Sequence, residues 1–226
     1  MKKVLGLVML GGMLALGGCR VEVDLVLGGQ GARGAGKVVV DPILLAYWKD
    51  LQVEEAPLFD LARLQSTAAR YPGFRFVSLD PEGEGVLSFS FEVEEVRRFL
   101  ASLGRDEVAS AGTNRGLTIK ADRDLFVWIF SLVLGDEETA ERLLPPPALS
   151  PEDMRAYFHW VFEEYATPHE VNLMLDGAAL VLRVSADAPV AAVKGGVREG
   201  QDAAVFTIPF FPLLAGEERD YEISWE

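Results

Sequence analysis

One cysteine, Cys19, constrains this chain more than any other residue. It follows an apolar run, Val4 to Leu16, that opens behind Lys2 and Lys3, and it precedes an alternating stretch from Arg20 to Leu27. The run is about thirteen residues, short of the roughly 20 a spanning helix needs, and has the build of a secretory signal. Val21, Val23 and Leu25 alternate with Glu22 and Asp24, the period-two pattern of a half-buried strand. The first strand of the fold is therefore expected to begin at the cysteine, with almost no linker. A lone cysteine forms no internal disulfide, so the folded part depends on its hydrophobic core.

Leu16 lies three residues before Cys19, and Gly17 and Gly18 fill the places between. This arrangement resembles the processing signal of bacterial lipoproteins. The resemblance implies that residues 1–18 are removed and that the Cys19 thiol carries a diacylglycerol through a thioether. Acyl chains contribute about 0.8 kcal/mol per buried methylene, so two or three of them give stable attachment to a membrane. The expected location is the cell envelope, outside the cytoplasm. Arg20 stands where enterobacterial lipoproteins retained at the inner membrane carry aspartate, which points to the outer membrane where the host has one. The formal net charge is −14, and acidic residues crowd the half after Asp124. That balance speaks against nucleic acid as a partner and against broad adhesion to anionic lipid.

Residues 19–226 are expected to form a single α+β domain, a mainly antiparallel sheet packed with several helices. Gly28 to Gly36 reads as a glycine-rich turn leading into a returning strand, Lys37 to Val40. Asp41-Pro42 reads as a helix start, with further helices over 57–70 and 94–103. Phe74 to Leu79 and Gly85 to Val93 read as a strand pair, and Leu117 to Ala121 as a short strand. A helical segment is expected within 124–167, and Ser150-Pro151-Glu152-Asp153 is a helix N-terminus with cap, proline and early acids in their preferred places. Val171–Leu175 and Ala179–Val184 flank Asp176-Gly177 and read as a hairpin. Val190–Val193, Ala204–Ile208 and Tyr221–Trp225 complete the strands.

Several of these stretches together resemble the LppM-like lipoproteins, a bacterial envelope family. They are Cys19 running into Val21-Glu22-Val23-Asp24-Leu25, the run Gly85 to Phe91 followed by a helix, Ala188-Pro189-Val190 through Gly195-Gly196, and the closing Tyr221 to Trp225. The resemblance implies an envelope-anchored domain that binds lipids or glycolipids.

Motifs for chemistry are weak. Gly29, Gly31 and Gly34 fit G-x-G-x-x-G, and Gly31, Gly36 and Lys37 fit the spacing of a phosphate-binding loop. Both need a helix N-terminus next, and Val38-Val39-Val40 is a strand, so a hairpin turn is the better account. His159 and His169 are the two histidines, with Glu163, Glu164 and Glu170 nearby, but the sequence has no H-E-x-x-H and no cysteine ligand set. There is no G-x-S-x-G elbow. No catalytic residue, metal site or cofactor is assigned, and no enzyme is expected.

Leu125 to Leu134 is the most apolar stretch after the signal. It admits three readings: buried core, the wall of an apolar ligand cavity, or a segment dipping into the membrane near the anchor. Phe126, Trp128 and Phe130 are its candidate ligand contacts, while Arg20, Arg33 and Lys37 are placed to meet lipid head groups near the anchor. The leading expectation is a lipid-anchored, non-enzymatic protein that binds an apolar or amphiphilic ligand. The alternative is a membrane-displayed module that contacts another envelope protein.

Overall fold

A computed structural model describes residues 18–51, 57–102, 110–111, 114–134, 145 and 149–226. Residues 1–17, where a signal sequence is expected, and the side chain of Phe130 lie outside the described residues.

The first strand, β1 (Cys19–Gly28), does begin at the cysteine. It turns over Gly29 and Gln30 into β2 (Gly31–Val40), and the two pair without interruption from Cys19 opposite Val40 to Gly28 opposite Gly31. Gly29 sits at φ +61°, a left-handed position open to glycine at low cost. The glycine-rich stretch is thus mostly strand. Gly34 and Gly36 are held in β2 by ladders to β1 on one side and β4 (Val86–Val93) on the other, which overrides the local preference for a turn.

On its other edge β1 pairs in parallel with β7 (Ala179–Ser185), a partner far along the chain. With β3 (Phe74–Pro81), β10 (Ala203–Pro209) and β9 (Val197–Glu199) this gives a seven-stranded mixed sheet in the order β3-β4-β2-β1-β7-β10-β9. A second, antiparallel sheet has the order β5-β6-β11-β8, from β5 (Ser110–Ala111), β6 (Asn114–Ala121), β8 (Val190–Lys194) and β11 (Arg219–Trp225).

The helices start where their caps direct. Asp41 Oδ1 accepts from Ile43 N at 2.9 Å before α1 (Pro42–Leu51), and Asp60 Oδ1 accepts from Arg63 N at 3.0 Å before α2 (Leu61–Ala68). The chain continues through α3 (Val96–Ser102) and α4 (Arg123–Leu134), and Ser150 caps α5 (Pro151–Val161). Then comes a correction to the expected hairpin. Residues 168–177 form α6 (Pro168–Gly177), opened by a capping box in which Thr167 and Glu170 satisfy each other's backbone amides. Val171, Met174 and Leu175 are buried at helical spacing, and Gly177 ends the helix instead of turning a hairpin. A short buried helix, α7 (Phe210–Leu214), replaces what reads as a plain connection after Pro209.

The core has a solid part and a hollow part. The largest fully buried side chains include Phe158, Phe162, Phe206, Phe210, Leu44 and Met154, and they fill the space around α1, α5, α6, α7 and the start of β1 and β7. Tyr47 meets Phe162 edge-on at 5.4 Å and Tyr165 at 5.5 Å. The hollow part lies over β3, β4, β2 and β1.

Candidate functional site

A cavity of about 280 Å³ lies between the large sheet and a cover made by α2, α3, α4 and β6. Its floor is built by strand alternation. Val21, Val23 and Leu25 of β1, Ala32 and Val38 of β2, and Leu87, Phe89, Phe91 and Val93 of β4 all point inward. On β3, Phe74 and Phe76 face the cavity, and a bulge between Phe76 and Ser78 shifts the register so that Leu79 faces it as well. Leu180 and Leu182 of β7 form the far side. The cover contributes Leu64, Val96, Phe99, Leu100, Leu117, Ile119, Leu125, Trp128 and Ile129. Every described lining residue is apolar.

Two glycines shape the floor. Gly34 stands opposite Phe91 and Gly36 opposite Phe89 in the β2–β4 register. A Cβ at Gly34 would lie 2.2 Å from Phe91 Cζ, and one at Gly36 would lie 2.7 Å from Phe89 Cζ. Both rings therefore lie down over the bare backbone of β2. Phe91 stacks on Phe74 at 5.3 Å, and Phe74 stacks in turn on Phe99 at 5.3 Å, which carries the aromatic surface from the floor to the cover. Phe99 and Tyr71 each meet Trp128 edge-on at 6.1 Å.

Helix α4 divides its described side chains between the solid core and the apolar cavity. Leu125, Trp128 and Ile129, at i, i+3 and i+4, face the cavity. Phe126 points into the solid core, 5.4 Å from Phe210, and is not among the cavity's lining residues. So of the three candidate ligand contacts, Trp128 lines the cavity, Phe126 does not, and the side chain of Phe130 is outside the described residues. The aromatic residues of β3 and β4 read from the sequence only as a sheet's core face. Their alternation opposite the β2 glycines was the available signal for a recess.

Three basic residues near the start of the sheet do not reach this cavity. Arg20, Arg33 and Lys37 alternate with its floor residues, so they stand on the other face of the sheet. There Arg20 pairs with Glu22 at 2.8 Å, Arg33 with Glu92 at 3.4 Å and Lys37 with Glu82 at 2.7 Å. Hydrogen bonds from Lys37 and Ser88 hold the Glu82 carboxyl below its usual range. His159 Nε2 lies 3.0 Å from Asn172 Oδ1, which also accepts from Arg155 Nη1 at 3.1 Å; that oxygen can only accept, so Nε2 carries the proton. His169 sits in the first turn of α6. Among the described residues, no three His, Cys, Asp or Glu side chains gather as a metal site would require.

Cys19 is 2% exposed, and its side chain shares the inward face of β1 with Val21. Gly18 packs at the same place: a Cβ there would meet the Met174 side chain at 2.9 Å, and its carbonyl accepts from Asp41 N at 2.7 Å. Burial, with the Asp41 charge adding to it, pushes the Cys19 thiol far above the ordinary range. Among the described residues, no helix is long and apolar enough to cross a membrane.

No family model matches this sequence, and no curated protein does either. The structure is similar to the folded domain of LppM from Mycobacterium tuberculosis, solved by NMR, with 11% identity over 92% of this chain and 90% of that one and a TM-score of 0.44.

Proposed function

We propose that this protein is a lipid-anchored envelope protein that carries out no chemistry and holds a hydrocarbon chain in the cavity beneath α4. The observation that carries the reading is the cavity itself: about 280 Å³, with only apolar side chains among its described lining residues, beside a solidly packed part of the core. Protein interiors ordinarily close such voids, because each lining atom without a neighbour loses contact energy. A chain inside would restore those contacts and gain about 0.8 kcal/mol per methylene removed from water. The glycine floor supports the same reading, since a residue with any side chain at position 34 would collide with Phe91.

Attachment at Cys19 is part of the proposal. Cys19 is 2% exposed, so a diacylglyceryl group on its sulfur requires the first residue of β1 to turn outward from Val40. Pairing from Arg20 onward then holds the domain against the bilayer surface, within reach of its lipids. Native mass spectrometry of the Cys19→Ala chain, made in its host and purified without detergent, tests the cavity. A bound or acquired hydrocarbon is expected. A chain that carries none and takes up no added dodecanoate or dodecanol would sink the reading.

A second reading, docking to another envelope protein, has one observation in its favour. Trp160 is 59% exposed and Leu173 60%, and they stand on α5 and α6 next to the contact between His159 and Asn172. Crosslinking from position 160 in intact cells would trap one defined protein if that reading holds.

A further inference from the structure

The chain enters its fold beside α6. A Cβ on Gly18 would stand 2.9 Å from the Met174 side chain, and Arg20 pairs with Ala179, just past the end of that helix. Successive helical residues are turned by about 100°, so Leu173 follows Met174 around the helix to its outside. Met174 is 4% exposed and Leu173 60%. A group attached at Cys19 therefore leaves the domain beside the turn of α6 that carries Leu173.

Helix α5 completes this face. It lies against α6 through Arg155, which donates to Asn172 Oδ1 at 3.1 Å and to Asp176 Oδ1 at 2.6 Å, and through the contact between His159 and Asn172. Met154, Phe158 and Val161 point inward, as do Val171, Met174 and Leu175 on α6. With the inward and the facing positions taken, helical spacing leaves Trp160 and Leu173 on the outer surface of the pair. Ala156 and Gly177, each four residues away on the same faces, are exposed and uncharged. Among the described residues, the other large apolar side chains that stand exposed are Val26, Val39, Val77 and Val197, each on a strand.

We infer that the outer face of α5 and α6 is the membrane-contacting face, with Trp160 and Leu173 set into the interface of a zwitterionic lipid surface. This rests on the reading that Cys19 carries the acyl anchor, and it adds which side of the domain the bilayer meets. Tryptophan suits that boundary, because its ring is apolar while its indole N–H stays within reach of water and head groups. Position beside the anchor favours lipid over a docked protein as the occupant. Charge sets the kind of lipid. Glu152 and Asp153 open α5 and Glu163 and Glu164 follow it, while Arg155, the sole Arg or Lys of the two helices, is paired with Asp176. An anionic surface would be repelled. Two side chains hold a lipid surface weakly by themselves, and the anchor supplies the local concentration that makes the contact persist.

Nitroxide labels on the anchored chain, isolated from its host and reconstituted into phosphatidylcholine vesicles, test this. Leu173→Cys places one label on the proposed face, and Val26→Cys places a control. Val26 alternates with the inward residues of β1 and so stands on the other face of the sheet, about 23 Å from Cys19 at about 3.3 Å per residue. Relative to collisions with a water-soluble nickel chelate, collisions with oxygen should be about threefold or more commoner at position 173 than at position 26. Trp160→Ser in the same chain should bring that excess below about twofold. Equal ratios at the two positions, in protein that stays with the vesicles, would overturn the face assignment and leave the anchor standing. A label at position 173 that is open to water in the vesicles yet shielded in host membranes would give the face to a protein and overturn it too. Contact that strengthens when phosphatidylglycerol is added would overturn the choice of a zwitterionic surface. Protein that does not stay with the vesicles would overturn the anchor reading as well.

Discussion

Phe91 lies where Gly34 has no side chain. The two residues face each other across β2 and β4, and any Cβ at position 34 would stand 2.2 Å from the Phe91 ring. Gly36, two residues along, is close to the Phe89 ring, but the nearest atom to its missing Cβ is the Glu22 backbone oxygen, also at 2.2 Å. The two glycines are therefore not equivalent. A ring can swing and a sheet backbone cannot.

Gly34→Ala should push Phe91 up into the cavity and cost about 1 kcal/mol or less, while dodecanoate binding falls severalfold. Gly36→Ala should cost about 3 kcal/mol or more, because β1 itself must move. Urea unfolding of the two variants, side by side, measures the difference. Equal losses would show that the ring at position 91 is as fixed as the backbone.

The solid core and the cavity predict opposite outcomes. Phe126→Ala removes a fully buried ring from the solid core and should cost about 3–5 kcal/mol, with hydrocarbon binding retained in the molecules that stay folded. Ala32→Val, across the cavity on β2, adds two methyl groups where there is open space. Its stability should stay level or rise by up to about 1 kcal/mol, and its hydrocarbon affinity should drop. Thermal unfolding with and without dodecanoate reads both effects.

Stability should fall at alkaline pH through buried phenols. Burial pushes Tyr47 up to about 12, with nearby Tyr157 and Tyr165 adding to it. Tyr165 is likewise pushed up to about 12, by burial first and then by its hydrogen bond to Asp50 Oδ2 at 2.8 Å. An unfolded phenol ionises near about 10. Between about pH 10 and 12 the native state thus binds more protons than the unfolded state, so stability present below that window is lost as pH rises through it. Tyr47→Phe should flatten the loss. It should also cost little at neutral pH, since the Tyr47 hydroxyl is buried without a hydrogen-bond partner. Urea midpoints across the alkaline range check both statements.

The unmodified thiol of Cys19 should be nearly inert in the folded chain. It is buried, and its thiolate is strongly disfavoured. A disulfide reagent should label it at the rate of unfolding, and promptly once urea has opened the chain. Prompt, complete labelling of the native protein would mean that the start of β1 frays without help.

The sequence by itself determined the local elements: the strand that starts at Cys19, the helix starts at Asp41 and Ser150, and the α+β class. These follow from period and capping, which depend on neighbours a few residues away. The capping box at Thr167 and Glu170 was equally local, yet Asp176-Gly177 imitates a hairpin turn, and five apolar-rich residues between them fit either period. Only the tertiary structure decided the rest. The parallel pairing of β1 with β7 joins segments some 160 residues apart, and no local pattern specifies it. That Gly34 and Gly36 are strand and not turn depends on ladders from both neighbours. That Phe126 fills a core while Trp128, two residues on, walls a cavity depends on what each face of α4 meets, Phe210 on one side and open space above the sheet's apolar floor on the other.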